Sequence, residues 1–453
     1  MAGAVPDAVR DIMTTLWSAG HAAFAVGGGP RDVLLGRPTV DWDLATSALP
    51  DRTVALFADA VYENRFGTVA VRRQGREYEV TTFRSDHDYA DFRRPHRVEF
   101  TGSLEADLAR RDFTINALAW GAASPAEEPR LIDLHDGLGD LRARSIRAVG
   151  EPRQRFEEDA LRIVRAIRLA TTLGFEIEPP TLEAIRMTAP LVAHLSGERI
   201  AEELRRILAA DAPSLGLRLL ADTGVLGAIS PELAGQVSLS QNKIPGEDLW
   251  QHTLRTVDAA PNRLEVRMAA LLHDIGKPAT AAEGHFYRHE IAGADLARDL
   301  LERLHLPRAT TDAVVHLVRH HMFRYEDNWG DGAVRRFLAK VRPDAIDDLF
   351  ALRQADNVGS GLERDADGLA VLRERIAAEI AAGPVLDRSA LAVHGSDLID
   401  ELGVTPGPEV GRILGLLFDR VVDDPSLNDK PRLMAIAREL AERPRVAGGP
   451  PNP

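Results

Sequence analysis

The sequence predicts an α+β protein, with a mixed-sheet head over residues 1–150 followed by helical segments to the end of the chain. Three observations carry this expectation. Thr68–Val71 and Glu77–Phe83 alternate, are rich in Val and Thr, and flank a Gln74-Gly75 turn, which is the pattern of a hairpin. From Glu151 onward apolar residues recur at helical spacing, punctuated by Gly174, Pro179 and Pro180 and later by Gly395 and Pro406. At 453 residues the chain is also too long for one ordinary core, and it carries no internal repeat.

Composition bounds the partners. The net charge of −14 argues against a nucleic-acid ligand only if charge is averaged over the whole chain, whereas binding depends on local patches. Such a patch runs from Arg142 to Arg168, with eight arginines against four acidic residues. Lysine occurs only at 243, 277, 340 and 430, so the positive charge is nearly all guanidinium, which suits phosphate and base edges. The absence of cysteine excludes structural disulfides and thiolate metal sites and fits a reducing cytosol. No apolar run approaches the roughly 20 residues that cross a bilayer, and an N-terminus with Asp7 and Asp11 lacks a signal-peptide pattern. The expectation is a soluble cytoplasmic protein with no membrane partner.

The head's chemistry lies in Gly27–Thr46, GGGPRDVLLGRPTVDWDLAT. A glycine turn opening a helix places backbone N–H groups against an anionic phosphate chain, so Gly27, Gly28 and Gly29 with Arg31 form the expected cradle. Asp41 and Asp43 are one residue apart, and on a strand both would face the same side and share hard divalent cations. Two Mg²⁺ ions held there would activate a 3′-hydroxyl and stabilise a pyrophosphate leaving group, which is nucleotidyl transfer. Glu79 on the second hairpin strand is a candidate third carboxylate, although an exposed strand residue is the plainer reading.

The glycine turn followed by Asp-x-Asp resembles the DNA-polymerase-β-like nucleotidyltransferases, and within them the bacterial tRNA nucleotidyltransferase and poly(A) polymerase family. Gly29-Pro30 departs from the small-plus-aliphatic pair of that family, but proline is at home in a first helical turn. RRDFTINALA at Arg110–Ala119 resembles the family's second motif, which implies nucleotide-binding roles for Arg111, Asp112 and Asn116. A plainer role for Asp112 or Thr114 is to cap a helix carrying Ile115 and Leu118. The charged stretch Ser85–Val98 is expected to be a mobile loop, where the family has a flexible segment linked to nucleotide choice, with Arg93 and Arg94 on it.

EDALRIVRAIRLA at Glu158–Ala170 is read as one helix. Leu161, Ile163, Val164 and Ile167 would form its apolar arc, with Asp159, Arg162 and Arg165 opposite and Asp159 and Arg162 as i,i+3 neighbours. An Asp accepts from an exocyclic amine and an Arg donates to a ring acceptor, an edge that cytosine and adenine share. Guanine and uracil would leave such bonds unmade at roughly 1–3 kcal/mol each. The pair would therefore select CTP and ATP without a template, and the segment resembles the EDxxR motif to which the family assigns this task. SGERIAEEL at Ser196–Leu204 resembles a further motif, in which Glu198, Arg199 and Glu202 are read as structural.

His252, His273-Asp274 and Asp356 resemble the ligand set of an HD domain, a metal-dependent phosphohydrolase module; His289, His320 and His321 are candidates for a second ion or a substrate phosphate. Mixed N/O ligands suit Mn, Ni, Fe or Mg alike. The resemblance implies CCA addition to the tRNA 3′ end from CTP and ATP, the acceptor stem lying on the helical body. Poly(A) polymerase and an HD-type phosphohydrolase with a nucleotide-binding head are the alternatives. It further implies a head at 1–150, a neck and body at 151–240, an HD domain at 241–360 and a helical tail at 361–453 ending in an unpackable VAGGPPNP, expected to be disordered.

Overall fold

The computed structural model describes the chain except residues 40, 63–65, 91–93, 242–243, 283 and 443–453; for 2, 86–90 and 94–97 it describes backbone only. Arg93, Lys243 and the VAGGPPNP end therefore lie outside the described residues, as does the side chain of Arg94. Two compact units are present, residues 1–237 with 300–306, and residues 238–299 with 307–453. Among the described residues no helix is long and apolar enough to cross a membrane.

The first unit opens with helix Asp7–Ser18 and a seven-stranded sheet. Its strands belong to a run of nine: β1 Ala23–Val26, β2 Asp43–Thr46, β3 Ala60–Tyr62, β4 Thr68–Arg73, β5 Arg76–Thr82, β6 Arg84–Ala90, β7 Arg94–Phe100, β8 Leu118–Ala122 and β9 Arg130–Asp133. The sheet order is β3-β4-β5-β2-β1-β8-β9, with β2 and β5 parallel and the other pairs antiparallel. The expected β4–β5 hairpin forms in register from Thr68↔Thr81 to Arg73↔Arg76, and Gln74 and Gly75 turn with φ of 50° and 74°. Positive φ at both central residues is what a two-residue hairpin turn requires.

Because strand side chains alternate, the sheet feeds two apolar layers. Val9, Ile12, Met13 and Leu16 of the first helix pack with Ala25, Leu44, Val69, Val71 and Val80 on one face. Phe24, Val26, Ala45, Ala119 and Phe83 meet Leu104 and Leu108 on the other. Asp43, two residues before Ala45, lies on the second face at the open end of β2.

Three local expectations are corrected. Within Ser85–Val98 the described residues belong to a two-stranded antiparallel ribbon, β6 with β7, running in register from Arg84↔Phe100 to Ala90↔Arg94. A ladder is made by backbone groups and does not require an apolar face, so charge density alone was a poor guide. Ile115 and Leu118 do not share a helix: Thr114–Asn116 is a single 3₁₀ turn and Leu118 opens β8. The Glu158–Ala170 segment is two helices, Pro152–Glu158 and Leu161–Leu173, broken at Asp159 and Ala160. The second buries Arg162 along with Leu161, Ile163, Val164 and Ile167, whereas Arg165 stays partly exposed.

The second unit is almost wholly helical. Helices Leu249–Ala259, Leu264–Leu272, His289–Arg303, Arg308–His320 and Ile346–Gly359 carry its buried polar cluster. Further on, helices Gly395–Leu402, Pro408–Asp423 and Lys430–Glu442 close a separate core around Leu398, Ile413, Leu417 and Leu433.

Candidate active site and metal centre

A cleft of about 700 Å³ in the first unit gathers Gly27, Gly28, Arg31, Asp41, Asp43, Arg111, Asp112, Asn116, Asp159, Arg162 and Arg165. Nine arginines line it against five aspartates, so an acidic chain concentrates positive charge at one place. Gly29 does not line it but lies in the first turn of helix Gly28–Leu34 with Pro30, as proline's missing N–H allows. Two glycines here are required by space. Gly27 has φ of 76°, and a Cβ on it would meet Asp43 Oδ2 at 3.2 Å and Arg111 Nη1 at 3.4 Å. A Cβ on Gly29 would sit 2.8 Å from Trp42 Cε3, so the turn packs flat against the residue between the two carboxylates.

Asp41 stands just before β2 and Asp43 begins it. Burial, then the charge of Asp41, push the Asp43 carboxyl above its ordinary value, against the pull of Arg111 and Arg165. Two carboxylates that repel at the mouth of a cationic cleft are a fitting seat for hard cations. Glu79 is exposed on β5, on the face shared by Thr81 and Ala45, and does not line the cleft.

The motif side chains form a continuous network. Arg31 donates to Asp32 at 2.9 and 3.0 Å and, through Nη1, to Asn116 Oδ1 at 2.7 Å. Asn116 Nδ2 donates to Asp112 Oδ1 at 3.1 Å, and Arg165 Nη1 to Asp112 Oδ2 at 3.1 Å. Burial would raise the Asp112 carboxyl, but Arg165, Asn116 and Arg162 together lower it from 3.8 to about 2. It is thus a fixed anion that locks one end of Arg165, while Glu203 holds Arg165 Nε at 3.6 Å and Arg168 Nε at 2.9 Å.

Asp159 and Arg162 line the same cleft but are not each other's partner. Arg162 Nη1 donates to Glu158 Oε2 at 2.7 Å and to the Arg155 carbonyl at 3.2 Å, and Nη2 to the Arg110 carbonyl at 2.9 Å. Three of five guanidinium N–H groups are committed and fix its plane, which leaves two for a ligand. Asp159 accepts from Leu161 N at 3.1 Å and from Arg199 Nη2 at 3.1 Å through Oδ1 and 2.8 Å through Oδ2. Most of its lone pairs are used, and Oδ2 retains one for an incoming amine.

Sequence reasoning read Arg199 as structural and passed over Glu203 and Asp107. Arg199 grips Asp159; buried Glu203 holds Arg165 and Arg168; and fully buried Asp107 accepts from Arg110 Nη2 at 2.6 Å and Arg111 Nη2 at 3.2 Å. For two of them the signal was present. Glu203 interrupts the stripe Ile200, Leu204, Ile207, and Asp107 stands between Leu104 and Leu108. A carboxylate on an apolar stripe is buried, and a buried carboxylate needs a cation.

In the second unit His252, His273, Asp274 and Asp356 converge. His252 Nε2 lies 3.1 Å from His273 Nε2, 3.5 Å from Asp274 Oδ2 and 3.2 Å from Asp356 Oδ1; His273 Nε2 lies 3.1 Å from Asp274 Oδ2. All four are buried. Burial would raise the Asp274 carboxyl, yet His273 and Lys277 hold it well below the ordinary carboxylate range. Gly359 lets helix Ile346–Gly359 approach from behind, since a Cβ there would lie 2.1 Å from Thr256 Oγ1 and 3.2 Å from His252 Nδ1. His289 and His321 reach Asp274 from the other side, at 3.2 and 3.8 Å from Oδ1. Burial, with His273, lowers the His321 pKa to about 3, which keeps it neutral. His320 does not join them. Adjacent helical residues point about 100° apart, and its ring packs edge-on against His316 at 4.6 Å beside a pocket with Lys340 and Arg342.

Comparison with known proteins matches the same modules in order. The Poly A polymerase head domain model covers residues 23–147, the model described as a probable RNA and SrmB-binding site of polymerase A covers 174–236, and the HD domain model covers 247–358. The CCA-adding enzyme of Geobacillus stearothermophilus is 35% identical over 94% of this chain and 94% of its own. That of Levilactobacillus brevis is 36% identical over 94% and 96%. The chain belongs to the CCA-adding enzyme family. It is a nucleotidyltransferase, and among relatives the family name favours CCA addition over poly(A) synthesis. A crystal structure of the Bacillus stearothermophilus CCA-adding enzyme in complex with CTP superposes with TM-score 0.71 at 32% identity, over 96% of this chain and 98% of that one. The Thermotoga maritima CCA-adding enzyme complexed with tRNA shares the fold, at TM-score 0.59 and 17% identity over 97% of each chain.

Proposed function

We propose that this chain adds C, C and A to the 3′ end of tRNA in the cytoplasm, with CTP and ATP as substrates and pyrophosphate as the leaving group. The observation that carries the reading is that one cleft holds both the Asp41/Asp43 pair and the Asp159/Arg162 pair. Asp41 and Asp43 would hold Mg²⁺, which supplies Lewis-acid activation of the 3′-hydroxyl and charge neutralisation at the phosphates. Gly27, Gly28 and Arg31 cradle the triphosphate with Arg111, whose buried Nε makes no protein hydrogen bond. Asp112 and Asn116 act by orienting Arg31 and Arg165.

Base choice falls to Asp159 and Arg162. The lone pair left on Asp159 accepts from the exocyclic amine of cytosine or adenine, and the free N–H groups of Arg162 donate to the neighbouring ring acceptor. Uracil and guanine would set a carbonyl against a carboxylate. The cleft arginines, Arg168 and Arg206 among them, receive the acceptor end of the tRNA by phosphate contact and shape, without a sequence code.

In the second unit the facing His252 and His273 nitrogens and the Asp274 and Asp356 carboxylates would hold one divalent ion. His273 Nδ1 lies 2.9 Å from the Ala270 carbonyl, so the ring's Nε2 can present a lone pair to such an ion. The four-part division at 150, 240 and 360 is the organisation we adopt within the two compact units.

The test supplies tRNA lacking its terminal triplet with CTP and ATP, singly and together, and sequences the extended ends. Uniform CCA supports the proposal; long A tails without C would assign a poly(A) polymerase, and absence of extension would refute both.

A further inference from the structure

We infer that the ring of Phe66 is the stacking platform for the 3′-terminal base of the RNA primer, the nucleotide whose hydroxyl attacks. This rests on the reading of the cleft as the site of nucleotide addition to tRNA.

Successive additions set a requirement that Asp159 and Arg162 do not meet. That pair reads the edge of the incoming base. The primer's last base changes as the end grows, so hydrogen bonds matched to one edge would reject the next. A π-face is common to every base, and an aromatic ring stacked on it holds any of them.

Phe66 supplies the only aromatic ring among the described residues that line the cleft; the others are charged, polar or glycine. It is half-buried, and neither apolar layer of the sheet includes it. Arg84 Nη1 donates to the Phe66 carbonyl at 2.6 Å, and the same guanidinium lies over the ring, 5.7 Å from its centre. Gly67 follows with φ of 89° and packs so tightly on Phe100 that a Cβ would lie 2.5 Å from Cε1. The ring is therefore held before RNA arrives.

Topology sets Phe66 on the primer's side. In the order β4-β5-β2-β1-β8, Asp43 opens β2, between two groups of cleft residues. Arg31 follows β1 and Asn116 precedes β8, and their hydrogen bonds lead through Asp112 to Arg165 on the helix of Arg162. On the other side of β2, Phe66 and Thr68 stand at the entrance to β4 and Arg84 follows β5. Thr68 pairs with Thr81, which pairs with Ala45, so it shares the face of Asp43 and lines the same cleft. In-line displacement puts the attacking hydroxyl and the leaving pyrophosphate on opposite sides of phosphorus. With the triphosphate and incoming base held from the β1 and β8 side, the hydroxyl enters from the side of Phe66.

The full-length protein, wild type or carrying Phe66→Leu or Phe66→Tyr, is given Mg²⁺, CTP and four tRNAs that lack CCA and differ only in the last base. Leucine keeps apolar bulk without a π-face, and tyrosine keeps the π-face; Phe66→Met serves if leucine unfolds the head. Phe66→Leu should lower kcat/KM for tRNA roughly five- to hundredfold with every terminal base, leave KM for CTP unchanged, and be largely rescued by tyrosine. A 2-aminopurine at the primer's last position should be quenched on binding the wild type and Phe66→Tyr, and less so with Phe66→Leu. Leucine equal to wild type, a loss that tyrosine does not restore, or a raised KM for CTP with tRNA use intact overturns the inference alone. No extension by the wild type overturns the reading of the cleft and the inference with it.

Discussion

Arg199 gives the sharpest test of how base choice is built. Its Nη2 lies 3.1 and 2.8 Å from the two oxygens of Asp159, which also accepts from the Leu161 amide at 3.1 Å. Replacing Arg199 by Ala leaves the carboxylate in place but free to rotate. A charge-assisted hydrogen bond contributes roughly 1.5–3 kcal/mol, and with both side chains a little over one fifth exposed screening reduces this to about 1–2 kcal/mol. If that energy holds Asp159 in the orientation that meets an exocyclic amine, Arg199→Ala should narrow the CTP-over-UTP and ATP-over-GTP ratios of kcat/KM by roughly five- to thirtyfold. The assay is single-nucleotide incorporation on tRNA ending before the first C for the pyrimidines, and before the terminal A for the purines. Arg199→Lys, which keeps charge but loses the planar fork, should fall between. Equal losses for all four nucleotides would refute the reasoning and make Arg199 a scaffold residue.

Two further outcomes follow from the same cleft. The Asp112 carboxyl is lowered from 3.8 to about 2, so its contribution of about 2 kcal/mol is in place above pH ~4 and drains away as pH falls towards 2. Asp112→Asn should flatten this acid limb in melting curves of the first unit; parallel acid loss in both proteins would contradict it. Gly29→Ala places a methyl 2.8 Å from Trp42 Cε3, which should cost about 1–3 kcal/mol of stability and raise KM for CTP and ATP by displacing the glycine turn. Since Trp42 separates Asp41 and Asp43, a shift of that ring should also appear in tryptophan fluorescence, and unchanged fluorescence with normal KM would remove the packing argument.

Much of this arrangement was legible because its determinants are local. A Gln-Gly turn between alternating segments needs only neighbouring residues to specify a hairpin, and β4 and β5 form in that register. The glycine turn and the Asp pair are likewise short-range, and both reach one cleft. The readings that failed depended on direction. Glu158–Ala170 has helical spacing throughout, and no Gly or Pro marks the break at Asp159; it is an acceptor for the Leu161 amide that lets the side chain of Asp159 compete with the helix ladder. His320 and His321 are equivalent as letters but lie about 100° apart on a helix, and only His321 faces Asp274.

The carboxylates that hold the cleft arginines share one physical cause. A cleft lined by nine arginines must hold them apart and aimed in the absence of substrate, because like charges that converge without counter-ions would splay. Asp107, Asp112, Glu158 and Glu203 do this, each under or beside a guanidinium. Asp107 and Glu203 sit where an apolar side chain belongs by periodicity, so they are removed from water and bound to arginine on the site side. The substrate-facing residues are those with donors to spare, such as Arg111 and Arg162; the residues that aim them have none. Reading an arginine-rich site therefore begins with the carboxylates that break an apolar stripe, because they say which guanidinium groups are held in place before the nucleotide arrives.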